Sequence, residues 1–334
     1  IRTLSSKEAK ISLAFSVFGG EGKKASEIEY EVPIHYTKTI QPLKSLLMKI
    51  QSPTKYFILF DELDEGYNLV DANKRLLLLS LFRSIENLVI DFKTYNINAR
   101  PILTLRSDIF ENLADNDLNK YDDFIIRLNW QADSRFNYSI RELVNARIHS
   151  SLNIQKEDLW NDVCRELDFR VPGAKKSVWR YLYTRTFERP RDIIKFLKYS
   201  QATCSKGLLT YENVRDAENA YSDWFYREIR DEIQSHLPIW KEAISCLSKI
   251  GKGVLETEEY KKIALQDKEI FNYLRNNKLS PDSLLETLFD FSVIGNLDEN
   301  NRWLFKYKDH DLTWSSSRRI CVHFGLQKKL RLTK

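Results

Sequence analysis

Five apolar residues in a row, Tyr56-Phe57-Ile58-Leu59-Phe60, stop abruptly at two acids, Asp61 and Glu62. A short run of aromatic and branched side chains of this kind predicts a buried strand of a parallel sheet. Such a strand needs a crossover to its neighbour, and the chain supplies one. Asp71 is placed to cap a helix reaching about Thr94, with Leu76, Leu77, Leu79, Leu81, Phe82, Ile85 and Leu88 on its inner side. A second strand, Pro101–Leu105, follows, so the order is a right-handed βαβ unit. A third strand, Phe124–Leu128, ends at Asn129 and Trp130 and completes the expected sheet.

Ahead of this unit, Gln41–Ile50 reads as a short helix and Ile11–Tyr36 as an irregular or β-rich insertion. From about Asp133 the apolar spacing turns helical, over Ser134–Ser150, Lys156–Cys164, Lys176–Tyr183, Pro190–Cys204 and Tyr211–Gln234. Leu237–Lys334 then reads as three helices and a hairpin. Its strands are Val293–Leu297 and Trp303–Tyr307, either side of Asp298-Glu299-Asn300-Asn301. That order suggests a winged helix. The expected organisation is α/β plus α: a parallel-sheet core over 1–132, a helical domain over 133–235 and a winged-helix-like domain over 236–334.

Composition agrees with a helix-rich globular chain. Only 10 of 334 residues are glycine, 43% are hydrophobic and 30% charged. A net charge of +5 against 52 basic and 47 acidic side chains describes a mixed solvated surface, not a dedicated nucleic-acid face. Cys164, Cys204, Cys246 and Cys321 lie far apart without a CxxC pair, which fits free thiols in a reducing cytoplasm better than a zinc site. No apolar run is long enough to span a membrane, and no signal peptide is visible, so a cytoplasmic protein without membrane partners is expected. The chain starts at Ile1 and its only methionine is Met48, which reads as a fragment.

Open α/β sheets bind ligands at the carboxyl ends of their strands. An acid pair there suits a nucleotide: Asp61 would hold Mg²⁺, directly or through water, and Glu62 would orient or deprotonate the attacking water. A solvated strand ending would look the same. The next strand brings Thr104 and Arg106 to that edge, with Ser107 beyond; a planar guanidinium matches phosphate oxygens, although Arg106 could instead pair with Asp108 or Asp61. Glu188-Arg189-Pro190-Arg191-Asp192 opens a helix, so two arginines and a helix N-terminus gather in a segment that attracts anions. Pairing of these arginines with Glu188, Asp192 or other local acids is the alternative.

Other candidates fail on chemistry. Gly19-Gly20-Glu21-Gly22-Lys23-Lys24 has Val17 where a phosphate-binding loop needs glycine and Lys24 where it needs a hydroxyl, so that loop is expected upstream of Ile1. Asp115–Asn119 lacks the glycine and the bidentate glutamate of a calcium loop. The five histidines are scattered and read as core or surface residues. Arg318, Arg319, Lys328, Lys329, Arg331 and Lys334 could contact DNA phosphates, but Asp309, Asp311 and the acids of the turn dilute the field.

Several motifs occur in one order: LFDELDE (59–65), LRSDIFENL (105–113), DLNK (117–120), RLNW (127–130), ERPRDIIKFL (188–197), and KYKD (306–309) followed by HFGLQKKL (323–330). Together they resemble a bacterial family of P-loop ATPases allied to the STAND class, the signal-transduction ATPases with numerous domains, whose core is AAA+-like. The resemblance implies that Asp61 and Glu62 are a Walker B pair and that Arg106 is the arginine of an hhhTxR sensor. It implies further that Arg189-Pro190-Arg191 begins the lid segment approaching ATP or ADP. Such proteins switch between ATP and ADP states, self-associate or engage a protein effector, and often serve defence against phage. The winged helix in this class is usually regulatory, with DNA reading the lesser alternative.

Overall fold

The computed structural model describes residues 36–63, 72–111, 113, 118–128, 130, 139–154, 156, 158–166, 177–205 and 207–333. The phosphate-loop-like segment 19–24, most of the 11–36 insertion, Asp71 and the rejected calcium segment 115–117 lie outside these. Packing divides the chain into two units, 1–117 and 118–334.

In the first unit, α1 (Tyr36–Leu47) precedes β1 (Tyr56–Phe60), α2 (Ala72–Thr94), β2 (Ala99–Leu103) and α3 (Ser107–Glu111). The strands pair in parallel, in register from Tyr56 opposite Ala99 to Phe60 opposite Leu103. The βαβ order is therefore present, with β2 beginning two residues before the expected Pro101, but β1 is not the buried strand its composition suggested: Tyr56, Phe57 and Leu59 are exposed among the described residues. The early start of β2 follows from how α2 ends. Asn96 turns the chain at φ 54°, Ile97 N–H closes onto Phe92 O (2.8 Å), and Asn98 O at once accepts Tyr56 N–H (2.8 Å). The buried stripe of α2 is Leu78, Ile85 and Phe92, at heptad spacing, whereas Leu76 and Leu77 point to solvent.

The expected third strand, Phe124–Leu128, is not formed. Leu118–Phe124 is a 3₁₀ turn, and residues 125–128 have no regular structure. Phe124, Ile126 and Leu128 are each about four-fifths exposed, so the apolar run that suggested a buried strand is not covered by the described residues. Among the described residues the parallel sheet has two strands.

The second unit is mostly helical. It runs α4 (Ile140–Leu152), α5 (Trp160–Val163), α6 (Val178–Tyr183), α7 (Pro190–Thr203), α8 (Tyr211–Ile233) and α9 (Trp240–Ile250). Then come β3 (Val254–Leu255), α10 (Thr257–Gln266), α11 (Lys268–Asn277), α12 (Pro281–Asp290), β4 (Ile294–Leu297), β5 (Trp303–Leu304), β6 (Ile320–Val322) and α13 (Phe324–Gln327). Local chemistry sets the starts: Ser139 and Glu142 form a capping box for α4, Thr210 and Asn213 one for α8, and Pro190 fills the first position of α7. β3, β6, β4 and β5 form, in that order, an antiparallel sheet. The β4–β5 hairpin turns on Asp298, whose Oδ1 accepts the N–H groups of Asn300 (2.9 Å) and Arg302 (2.7 Å).

One hydrophobic cluster extends from Ile140 to Leu330, without a break near residue 235. In its middle, Phe196 stacks on Tyr221 at 4.0 Å, and Ser222 Oγ donates to Gly325 O (2.6 Å) while accepting Lys329 N–H (3.0 Å). A Cβ on Gly325 would collide with Arg185 O and the Phe225 ring. Bare glycine thus lets α13 lie directly on α8.

Candidate functional site

At the carboxyl edge of β1 and β2 the last backbone rung is Thr104 N–H to Phe60 O (2.9 Å). The next side chains out meet each other: Thr104 Oγ1 donates to Asp61 Oδ1, which also accepts the Glu62 N–H (2.9 Å). These two bonds, the hydroxyl first, hold the exposed Asp61 carboxyl below its usual range, so it is an anion at neutral pH. Glu62 adopts φ 58°, a left-handed conformation that costs a non-glycine residue energy and recurs at ligand sites. Arg106 is half-buried two residues beyond Thr104, at the entry to α3. Asp61, Glu62, Thr104 and Arg106 therefore share one sheet edge, as the pairing of adjacent strands requires.

A hard cation with most of its shell supplied by water and phosphate oxygens would find the anionic Asp61 carboxylate here, a kind of donor that Mg²⁺ accepts. An all-protein cage is a different matter: among the described residues no three His, Cys, Asp or Glu side chains gather to hold a metal.

In the second unit, Arg189 is the N-cap of α7 and Pro190 its first residue. The arginines meet acids that the sequence reading had not singled out. Arg189 forks onto Glu232, Nη1 to Oε1 at 2.5 Å and Nη2 to Oε2 at 3.3 Å. Arg191 reaches the same Glu232 Oε1 (2.8 Å) and, with its other nitrogen, Glu228 Oε2 (3.1 Å). Of the local acids, Glu188 instead faces Lys308 (3.5 Å), and Asp192 lies 3.8 Å from Arg191 Nε. Asp192 is buried and accepts Phe187 N–H (3.0 Å). Burial pushes its carboxyl up to about 6, against the pull of Arg189. Glu228 and Glu232 are one turn apart on α8, and the only trace of their role in the sequence is that i, i+4 spacing.

Two further buried polar groups join the helices of this unit. Glu218 accepts Arg185 Nε (2.5 Å) and Tyr181 OH (2.6 Å). His323 is fully buried among Phe187, Phe225, Phe305 and Tyr307, and its Nδ1 accepts Gly325 N–H (3.1 Å) to cap α13. Burial, with Lys308 adding to it, pushes His323 down to about 3. As expected, the four cysteines are free thiols.

At the C-terminal end, Lys329 pairs with Asp223 (2.7 Å) and Arg319 bonds Asn301 (2.6 Å). Helix α12 carries Asp282, Glu286 and Asp290 and no basic residue. No described helix is long and apolar enough to cross a membrane.

Residues 138–230, which span α4 to most of α8, match a family described as the FunZ-associated C-terminal helical domain. The match covers a minority of the chain. No curated protein and no solved structure matches it.

Proposed function

We propose that this chain is part of an ATP-dependent regulatory switch that binds Mg·ATP at the carboxyl edge of β1 and β2 and hydrolyses it slowly. The observation that carries this reading is the side-chain bond between Thr104 and Asp61 at the ends of two paired parallel strands, with Glu62 and Arg106 beside them. Asp61 is the residue that would hold Mg²⁺, which when bound neutralises phosphate charge. Thr104 keeps the Asp61 carboxylate oriented and anionic. Glu62 orients the attacking water and takes its proton, and Arg106 senses the γ-phosphate.

The same reading takes 1–132 as a P-loop, AAA+-like core, 133–235 as its helical lid and 236–334 as a winged helix. The helix order α9 to α12 and the antiparallel sheet with β6 between β3 and β4 support the last of these. A regulatory role for that sheet and its helices is favoured over DNA reading, because α12 presents acids where phosphates would need cations. A cytoplasmic switch acting through self-association or a protein effector fits these features. The FunZ-associated match is compatible with a defence-related system.

The test is Glu62→Gln, with ATP turnover and ATP binding measured side by side. Turnover should fall on the order of a hundredfold or more, with binding kept. Unchanged turnover removes Glu62 as the base. Absence of ATP binding in the unaltered protein favours a scaffold built on a degenerate ATPase core.

A further inference from the structure

Glu232 occupies the position an anionic ligand of Arg189 and Arg191 would take. Its two oxygens accept three guanidinium N–H groups from two arginines, and Glu228, one turn away, takes the remaining end of Arg191. The geometry is graded by depth. The Glu232 side chain is 15% exposed, while those of Arg189 and Arg191 are 39% and 54% exposed. The carboxylate is thus on the inside and the guanidiniums on the outside, open to approach from solvent. Arg189 is further steadied over the Phe187 ring, 5.0 Å from its centre. Carboxylate and phosphate oxygens suit the same planar fork of donors, so the two compete for it.

We propose that Glu232 is a built-in competitor that holds Arg189 and Arg191 in a self-neutralised state, and that a polyphosphate group displaces it. This displacement does not rest on the function proposed above, and it concerns the second unit by itself. The arginines then bind with their intrinsic affinity multiplied by the fraction of time Glu232 leaves them open. Glu228 contributes less, because it meets only the more exposed arginine.

The experiment is isothermal titration of the whole chain with inorganic tripolyphosphate and with ATP, comparing the unaltered protein, Glu232→Gln and Glu228→Gln at low and moderate salt. Glu232→Gln should bind tripolyphosphate on the order of tenfold more tightly, Glu228→Gln less so, with both gains shrinking as salt rises. Adding Arg189→Gln and Arg191→Gln to Glu232→Gln should abolish the gain. Equal or weaker tripolyphosphate binding by a folded Glu232→Gln protein overturns the proposal. If that variant does not fold, an unchanged affinity in Glu228→Gln overturns it. A gain for tripolyphosphate with no ATP binding in any variant leaves the competitor standing and the ATP reading refuted. ATP binding with no gain in either variant does the reverse.

Discussion

Replacing His323 by asparagine should flatten one part of the stability profile of residues 118–334. The imidazole is neutral and fully buried, with its pKa pushed down to about 3 from an ordinary 6.5. Between those values the unfolded chain takes up a proton that the folded chain refuses. The stability contributed by the buried neutral ring is therefore complete above pH 6.5 and drains away as pH falls toward 3. The slope is about 1.4 kcal/mol per pH unit, so lowering pH from 7.5 to 5 costs about 2 kcal/mol through this group alone. Asp192 works in the opposite direction. Its folded carboxyl is pushed up to about 6, so acidification through the same window adds stability and partly masks the histidine. The difference between variant and unaltered protein removes that masking. Asparagine is the chosen substitute because its oxygen can still cap α13 yet cannot ionise. Trp130, Trp160, Trp179, Trp224, Trp240, Trp303 and Trp314 are the chain's seven tryptophans and all fall in the second unit, so urea melts followed by their fluorescence report it selectively. The asparagine protein should be less stable at pH 7.5, and its deficit should shrink by about 2 kcal/mol at pH 5. A deficit independent of pH would refute the argument.

Two further outcomes follow from the packing of this unit. Gly325→Ala should destabilise it by about 1–3 kcal/mol in the same urea melts, since the added methyl meets the backbone oxygen of Arg185, which cannot swing aside; a neutral result would mean that α13 can lift from α8 at little cost. Glu218→Gln leaves Arg185, only 11% exposed, without its counter-charge and should cost about 3 kcal/mol, with the midpoint shift again read by fluorescence.

The parts of the fold that were legible are those fixed by nearby residues. The composition of Tyr56–Phe60 was enough to mark a strand but not its surroundings, since Phe57 and Leu59 are exposed rather than buried, and α7 and α8 were readable from Pro190 and from helical apolar spacing. β2 was displaced by two residues because its start depends on the turn after α2, where a left-handed Asn96 hands the chain straight to Tyr56. Phe124–Leu128 misled because apolar composition says that a segment wants neighbours, not that it has them. The candidate site divides in the same way. Asp61, Glu62, Thr104 and Arg106 could be collected from strand ends, since parallel neighbours align their carboxyl edges. Glu232 could not, because its meeting with Arg189 and Arg191 is made by two helices packing across a loop, and no local spacing encodes that contact.

The unbroken cluster from Ile140 to Leu330 sets the size of the smallest piece that can move. A hinge needs a waist where few side chains interlock, and residue 235 is not one: the Ser222 hydroxyl alone ties α8 to both Gly325 and Lys329, a hundred residues further along the chain. Helices α4 to α8 and the sheet beyond them share this core, and a thermal scan followed by tryptophan fluorescence should show them melting in a single step.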